Sequence, residues 1–501
     1  MTSPWIYRFE AKGIQSFILA TDKLREIKGG SSLVEELGGL FEAALEAFGL
    51  TAAKGVKKLT LAVAGGASIE VPAGFDGNLR SFMAAWPLLV ARHAPGLQLV
   101  QARVEGPASR PGAWDEIQAD LRAARSRLDP ELPEAGPLLL RAPRSGLPAT
   151  GFDPTGGVAV DAAGERKVSA AARDSLGKRI GEHWSWTENL DDLDHSYVGV
   201  LHLDGNDLGN RIKQLAEQRP ASELLDFSKK LADGTLAAVQ TAVREVLAPA
   251  ANGGELPGRP VVVGGDDVTF VLRGDLALSF AHVLLRSFEE EHRKALGGPL
   301  HASAGLALVH RHHPFRAAHD LAEDLCTLAK KTYRGKGENG ATPSSLAFYR
   351  LTSASAGRWE EIRHRELAAR PPRMTPPAPE RWLTLCPYLL DAAAGGPTID
   401  HLRDLVVAFR ALPRGPIREW LDLLRADPAR AVPHFDRFRE VQQRRPGGKE
   451  KFAMLEKALE ALEASDGWRV IHGRAGGTTL ASPVLDALTW QRLEADEEEE
   501  P

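Results

Sequence analysis

The feature that most constrains this chain is an order of elements written twice: strand, helix, strand, glycine pair, strand. In the first copy Trp5-Ile6-Tyr7-Arg8-Phe9 reads as a strand, and Gly13 opens the amphipathic run Ile14-Gln15-Ser16-Phe17-Ile18-Leu19. Strand signals at 59–63 and 68–71 then flank Gly65-Gly66. In the second copy a strand over 198–203 ends in Asp204 and a loop leads through Gly209 into a helix. Strands at 261–263 and 268–272 then flank Gly264-Gly265-Asp266-Asp267. Apolar runs broken by a glycine pair predict β-hairpins, and the repeated order predicts an internal duplication.

Between the copies, residues 134–175 are rich in Pro, Gly and Ala and lack sustained periodicity, as a connector or small irregular subdomain does. A Pro-rich segment from Arg370-Pro371-Pro372 to Pro379 predicts a linker, and helical periodicity resumes beyond it. The expected divisions are therefore 1–135, a connector at 136–195, a second copy at 196–352, a linker at 353–380, a helical domain at 381–490 and an acidic tail at 491–501. With 501 residues, 43% hydrophobic and 26% charged, the chain is neither a disordered tail nor a fibre. Its net charge of -5 announces no basic nucleic-acid surface. Only two cysteines, Cys326 and Cys386, lie far apart, so neither a structural disulfide nor a four-cysteine zinc site is expected. With no secretory signal and no apolar run long enough to span a bilayer, the expected location is cytoplasmic, with no membrane partner.

The chemistry concentrates in the second copy. A carboxylate at the end of an apolar strand, facing an acidic pair at a hairpin tip, can hold hard divalent cations, which prefer oxygen ligands. Asp204, Asp266 and Asp267 meet that requirement if their strands are neighbours, with Mg2+ or Mn2+ as the cation. Gly264 and Gly265 supply the positive φ of a tight turn and let a phosphate chain approach the backbone. A polar turn with solvated acids is the alternative, and the strands on both sides, with a third delivering Asp204, favour the metal site. Asp207 reads as a helix cap or a nucleotide contact. Lys330 and Lys331 close an expected helix over 314–329, where they neutralise phosphates or simply favour the helix dipole.

At these residues the chain resembles the second Palm domain of the large, cyclase-bearing subunits of type III CRISPR complexes, in both their Csm and Cmr branches. The match runs from Leu203-Asp204-Gly205-Asn206-Asp207-Leu208-Gly209 through Gly264-Gly265-Asp266-Asp267 to Ser303-Ala304-Gly305 and the helix over 314–331. The amino terminus is similar to the first Palm of that family, through Phe9-Glu10-Ala11-Lys12-Gly13-Ile14-Gln15-Ser16-Phe17-Ile18, Lys23-Leu24-Arg25-Glu26 and Gly29-Gly30-Ser31-Ser32-Leu33. The resemblance implies an α+β fold of two ferredoxin-like Palm domains plus the C-terminal helical domain. It also implies synthesis of cyclic oligoadenylates from ATP with Mg2+ in antiviral signalling. Asp204 would be the first metal ligand, and Asp266 with Asp267 the paired acids. Gly264, Gly265, Lys330, Lys331 and Asp207 would contact nucleotide.

The first Palm keeps Gly65-Gly66 and Glu10 but carries Ala67-Ser68 where the paired acids would stand, so it is expected to be a degenerate copy that contributes surface rather than metal ligands. The HD nuclease domain and the cysteine-ligated zinc module of many family members are not visible in the sequence. Expected partners are ATP, other CRISPR effector subunits and guide and target RNA, with a homo-oligomer left open. A scaffold subunit with little cyclase activity, and a diguanylate-type cyclase using GTP, are the competing functions. His319-Asp320 is expected on a surface helix, His310, His312 and His313 in a solvated turn, and Arg444-Arg445-Pro446-Gly447-Gly448-Lys449 in an exposed loop.

Overall fold

The computed structural model describes residues 3–21, 23–60, 65–127, 136–154, 156–188, 193, 196–219, 221–352, 357–369, 379–472 and 478–495. The first unit comprises β1 (Trp5–Lys12), α1 (Ile14–Ile18), α2 (Leu24–Glu35), α3 (Leu37–Ala47), β2 (Lys57–Lys58), β3 (Gly66–Val71), α4 (Asp76–His93), β4 (Gln98–Glu105) and α5 (Ala113–Arg125). Its sheet runs β2-β3-β1-β4 with antiparallel neighbours, the order of a ferredoxin-like unit. Alternation along β1 sends Tyr7, Phe9 and Ala11 to one core and Ile6 to another. Phe9 meets Phe41 at 4.9 Å and Trp86 at 5.1 Å between ring centres.

The expected strand at 59–63 is displaced: β2 ends at Lys58, the Leu59 and Thr60 amides donate to the Ser68 carbonyl at 2.9 and 3.3 Å, and Thr60 Oγ1 accepts from the Ser68 amide at 2.9 Å. The remainder of that expected strand, 61–63, lies outside the described residues.

The connector is more ordered than its composition suggests, holding β5 (Gly151–Phe152), β6 (Ala159–Val160), α6 (Ala162–Ala170), α7 (Ser175–Ile180) and β7 (Ser185–Trp186). Helix α6 docks on the first Palm because Gly29 admits it: a Cβ there would lie 1.8 Å from the Lys167 carbonyl oxygen. The next residues of that string join the halves, as Ser31 Oγ donates to the Val261 carbonyl at 2.7 Å and Ser32 Oγ accepts from the Ser175 amide at 3.1 Å. Small side chains at 29–32 therefore act as the joint between the first copy, the connector and the second copy.

The second unit repeats the plan with β8 (Tyr197–Gly205), α8 (Leu208–Gln218), α9 (Ala221–Ala242), β9 (Glu255–Leu256), β10 (Gly258–Gly264), β11 (Asp267–Arg273), α10 (Ala277–Leu296), β12 (Ala302–His310), α11 (Phe315–Tyr333) and β13 (Ser345–Arg350). Its strand order begins β10-β11-β8-β12, which matches the first sheet strand for strand, and continues through β13. Leu201, Leu203 and Phe270 pack with Phe280 and Leu284 of α10. Val200, Val271 and Ala307 pack with Ala318, Ala322 and Leu325 of α11, in a core shared with the first Palm. Helix α11 lies directly on β12, since a Cβ at Gly305 would meet the Ala322 carbonyl oxygen at 1.9 Å.

The C-terminal region departs from expectation. It carries α12 (Trp359–Ile362), β14 (Glu380–Trp382), β15 (Tyr388–Leu389), α13 (Ile399–Arg410), α14 (Arg414–Ala426), α15 (Pro428–Gln443), α16 (Gly448–Ala461), β16 (Arg469–His472), β17 (Thr478–Ala481) and α17 (Val484–Ala495). The segment 381–490 is mainly helical, but β14, β17 and β16 form a sheet of their own. Strand β15 joins the second Palm sheet through Ser345↔Leu389 and Leu346↔Tyr388. The helical region is thereby stitched to the Palm rather than hung from a linker, and Leu346, Phe348, Ile399 and Leu402 share one core. The Pro-rich residues 370–378 and the tail at 496–501 lie outside the described residues. No helix among the described residues is long and apolar enough to cross a membrane.

Candidate active site

Strand pairing brings the three acids together. Leu203 of β8 stands opposite Val268 of β11, so the next positions along each strand, Asp204 and Asp267, meet at the same end of the sheet. Gly264 pairs with Asp267, leaving Gly265 and Asp266 as a two-residue turn in which Gly265 has φ +60. Glycine at the first central position is what such a turn requires. Helix α9 fixes the turn from behind, through a Thr235 hydroxyl donated to the Gly265 carbonyl at 2.6 Å.

The run from Leu203 to Gly209 has a local explanation at each polar position. A Cβ at Gly205 would lie 2.7 Å from the Asp266 Cβ, so only glycine lets the hairpin tip close onto β8. Asn206 is buried, donating to the Thr342 and Pro343 carbonyls at 3.1 and 3.2 Å and accepting from the Ser303 hydroxyl at 3.1 Å. Asp207 stands at the start of α8 with φ +58, but its side chain does not cap the helix. It accepts instead from the Thr342 amide at 2.9 Å, so the capping alternative gives way to a tie between two loops.

Helix α11 extends through both expected lysines. Lys330 donates to Asp204 Oδ2 and to the Gly205 carbonyl, the latter at 2.9 Å, whereas Lys331 is exposed. The ammonium thus stands against the first acid and one strand carbonyl, where a phosphate would compete with Asp204 for the ammonium and a cation would compete with the ammonium for the carboxylate.

Electrostatically the site is strained toward protonation. Burial, followed by the charges of Asp204 and Asp267, pushes the Asp266 carboxyl up to about 7. Burial, followed by Asp204 and Glu323, pushes Asp267 up to about 8. Both shifts have the sign expected of acids that lack sufficient positive charge. Asp267 Oδ2 accepts from Gln15 Nε2 of the first Palm at 2.8 Å, while Oδ1 is buried without a hydrogen-bond partner, 3.4 Å from His202 Nδ1. Burial lowers the His202 pKa, which favours the neutral imidazole there. An orphaned carboxylate oxygen among crowded acids fits a cation-binding site: Asp204, Asp266 and Asp267 supply oxygen donors that a divalent ion would satisfy.

Sequence reasoning did not find Gln15, His202, Asn206 or Thr235. His202 carried a signal, since it lies two residues before Asp204 on one strand and so on the same side. Gln15 carried none, because its partner is 252 residues away. In the first Palm, Glu10 is held by Arg8 at 2.7 Å and by Arg125, leaving its carboxylate neutralised by two guanidinium groups. Gly65 has φ +75, and a Cβ there would meet Ala11 and Ile14 at 2.8 Å.

A family model described as Cas10/Cmr2, second palm domain, matches residues 197–339, from the first strand of the second sheet to just past Lys330 and Lys331. The match falls within the second unit, and the similarity it establishes is to that domain. No curated protein sequence matches. Among solved structures, the fold of this chain is similar to that of a Csm1-Csm4 cassette in complex with pppApA, at TM-score 0.55 and 14% identity over 99% of this chain and 69% of that one. The corresponding cassette with cA4 gives TM-score 0.52 and 14% identity over 93% and 70%. The cassette with one ATP gives 0.50 and 14% over 92% and 70%. The chain thus spans about seven tenths of the length of those chains.

Proposed function

We propose that the second Palm condenses ATP into cyclic oligoadenylates, with Asp204, Asp266 and Asp267 as metal ligands, in antiviral defence. The observation that carries this reading is the meeting of Asp204 with Asp266 and Asp267 at the end of one sheet, where both paired acids are raised toward protonation and one buried oxygen of Asp267 has no hydrogen-bond partner. The fold's likeness to cassettes in complex with ATP, pppApA and cA4 supports a nucleotide substrate.

In the reaction a ribose hydroxyl gives up its proton to solvent water, its oxygen bonds to the α-phosphorus of a second ATP, the bond from that phosphorus to the bridging oxygen breaks, and pyrophosphate leaves. Mg2+ or Mn2+ held by the three acids supplies Lewis-acid stabilisation of the transferring phosphoryl group. The chain's own contributions are positional. The open backbone at Gly264 and Gly265 gives a triphosphate close approach to the turn. Lys330 shifts its ammonium from Asp204 toward phosphate oxygens as they arrive, and Lys331 adds a second positive charge at the helix end. Gln15 holds one oxygen of Asp267 and leaves the other without a hydrogen-bond partner. Asp207 and Asn206 hold the 342–343 segment against the strand end and so keep Asp204 in register.

The same reading has the chain act in the cytoplasm, in an effector complex with other CRISPR subunits and guide and target RNA; the likeness to Csm1-Csm4 cassettes supports the partnership with other subunits. The test is incubation of the protein with ATP or GTP and Mg2+ or Mn2+, with and without guide and target RNA, followed by mass spectrometry. Cyclic oligoadenylate from ATP is the expected product. A cyclic guanylate would favour the diguanylate-type alternative, and no condensation under any condition would favour a scaffold.

A further inference from the structure

His319, expected on a solvent-facing helix, is only 3% exposed, and its Nε2 is buried with no hydrogen-bond partner. A buried imidazole nitrogen without a partner is costly and calls for an explanation. Its neighbours provide one. His319, Asp320 and Glu323 each offer a ligand atom, and these atoms lie within 4.8 Å of one another. His319 and Glu323 are four residues apart on α11 and so share a helix face.

The carboxylates open onto a cleft of about 620 Å³ also lined by Asp324, Glu361 and Arg358. Four acids against one guanidinium make that cleft attractive to cations. On the inner side, the His319 ring packs edge-on against His202 at 5.3 Å between centres, which fixes the imidazole plane.

We propose that His319, Asp320 and Glu323 form a second metal site on α11, taking a divalent first-row transition-metal ion, separate from the three acids at the hairpin. One imidazole and two carboxylates form a mixed nitrogen and oxygen set, which suits zinc, manganese or cobalt better than an all-oxygen Mg2+ site does. The remaining coordination positions face the cleft and take water. This assignment stands independently of the nucleotidyl reading, because it uses none of the hairpin residues.

The experiment uses the full chain carrying Asp204→Asn, Asp266→Asn and Asp267→Asn, which removes the competing hairpin ligands. Co2+ is titrated and followed by visible absorption, and Cu2+ is loaded for electron paramagnetic resonance. One ion per chain is expected, with nitrogen superhyperfine lines from a single imidazole. Adding Asp320→Asn with Glu323→Gln, both at exposed positions, is expected to weaken Co2+ binding at least tenfold at an unchanged melting temperature. His319→Leu is expected to remove the nitrogen lines. The proposal is overturned if no stoichiometric ion binds, if the Asp320 and Glu323 changes leave the affinity unaltered, or if the nitrogen lines survive without His319.

Discussion

Replacing Asp267 by asparagine should make the metal-free protein more stable, and increasingly so as pH rises from 5 to 8. In the folded chain the Asp267 carboxyl is pushed up to about 8, chiefly by burial, from an ordinary value of 3.8. Between those values the native state holds a proton that the unfolded state has lost, so stability falls as pH rises through the window. A shift of about 4 units at 1.36 kcal/mol each sets a ceiling of about 5 kcal/mol. Asp266 titrates with its neighbour, and the Asp267 side chain keeps 27% of its exposure, so about 2 kcal/mol is the working figure. The assay is denaturant unfolding of wild type and Asp267→Asn in chelator at pH 5 and pH 8. The wild type should lose about 2 kcal/mol more than the variant between the two. Asp486, also raised to about 7, contributes equally to both proteins and cancels in the difference. Adding Mg2+ with ATP should reverse the order at pH 8, since only the intact ligand set gains stability by linkage. Parallel losses in the two proteins, with or without metal, would refute the reasoning.

Three further outcomes follow from other positions. Glu10→Gln should leave product formation within a few-fold of wild type, because Arg8 and Arg125 already occupy that carboxylate; complete loss in a folded protein would make the first Palm a catalytic partner. Gly205→Ala should cost roughly 1–3 kcal/mol of stability and remove most condensation activity, since its Cβ would overlap Asp266; an unimpaired variant would contradict the close packing of β8 on the hairpin. Asp486→Ala should lower the unfolding free energy by roughly 1–3 kcal/mol at pH 5, because the Tyr388 hydroxyl and the Leu385 amide both lose their acceptor; an unchanged denaturation curve would deny that contact a structural role.

The parts of this molecule that are local in sequence were legible before folding. Apolar runs around Gly264-Gly265-Asp266-Asp267 and before Asp204 announced three strands, and β-hairpin chemistry joined two of them. The duplication was visible because each copy repeats that order. What escaped depends on distant partners. Gln15 reaches Asp267 only once the Palms pack together, and the burial of His319 depends on α11 lying against β12 with Gly305 beneath it. The strand at Tyr388–Leu389 is too short for periodicity to betray, and its place is set by the open edge of β13. In the connector, the abundance of Gly and Ala read as irregularity, although α6 forms there and docks where Gly29 of α2 leaves room for its backbone.

The most direct measurement is product formation from ATP and Mg2+ by the wild type, Asp204→Ala, and the double variant Asp266→Ala with Asp267→Ala, beside a thermal melt of each. Loss of a metal ligand removes several kcal/mol of transition-state stabilisation, so each variant should lose at least about three orders of magnitude in rate. Each should remain folded, because neutralising crowded acids relieves their repulsion. A well-folded Asp266→Ala, Asp267→Ala protein that makes cyclic oligoadenylate at the wild-type rate would contradict the assignment of the site.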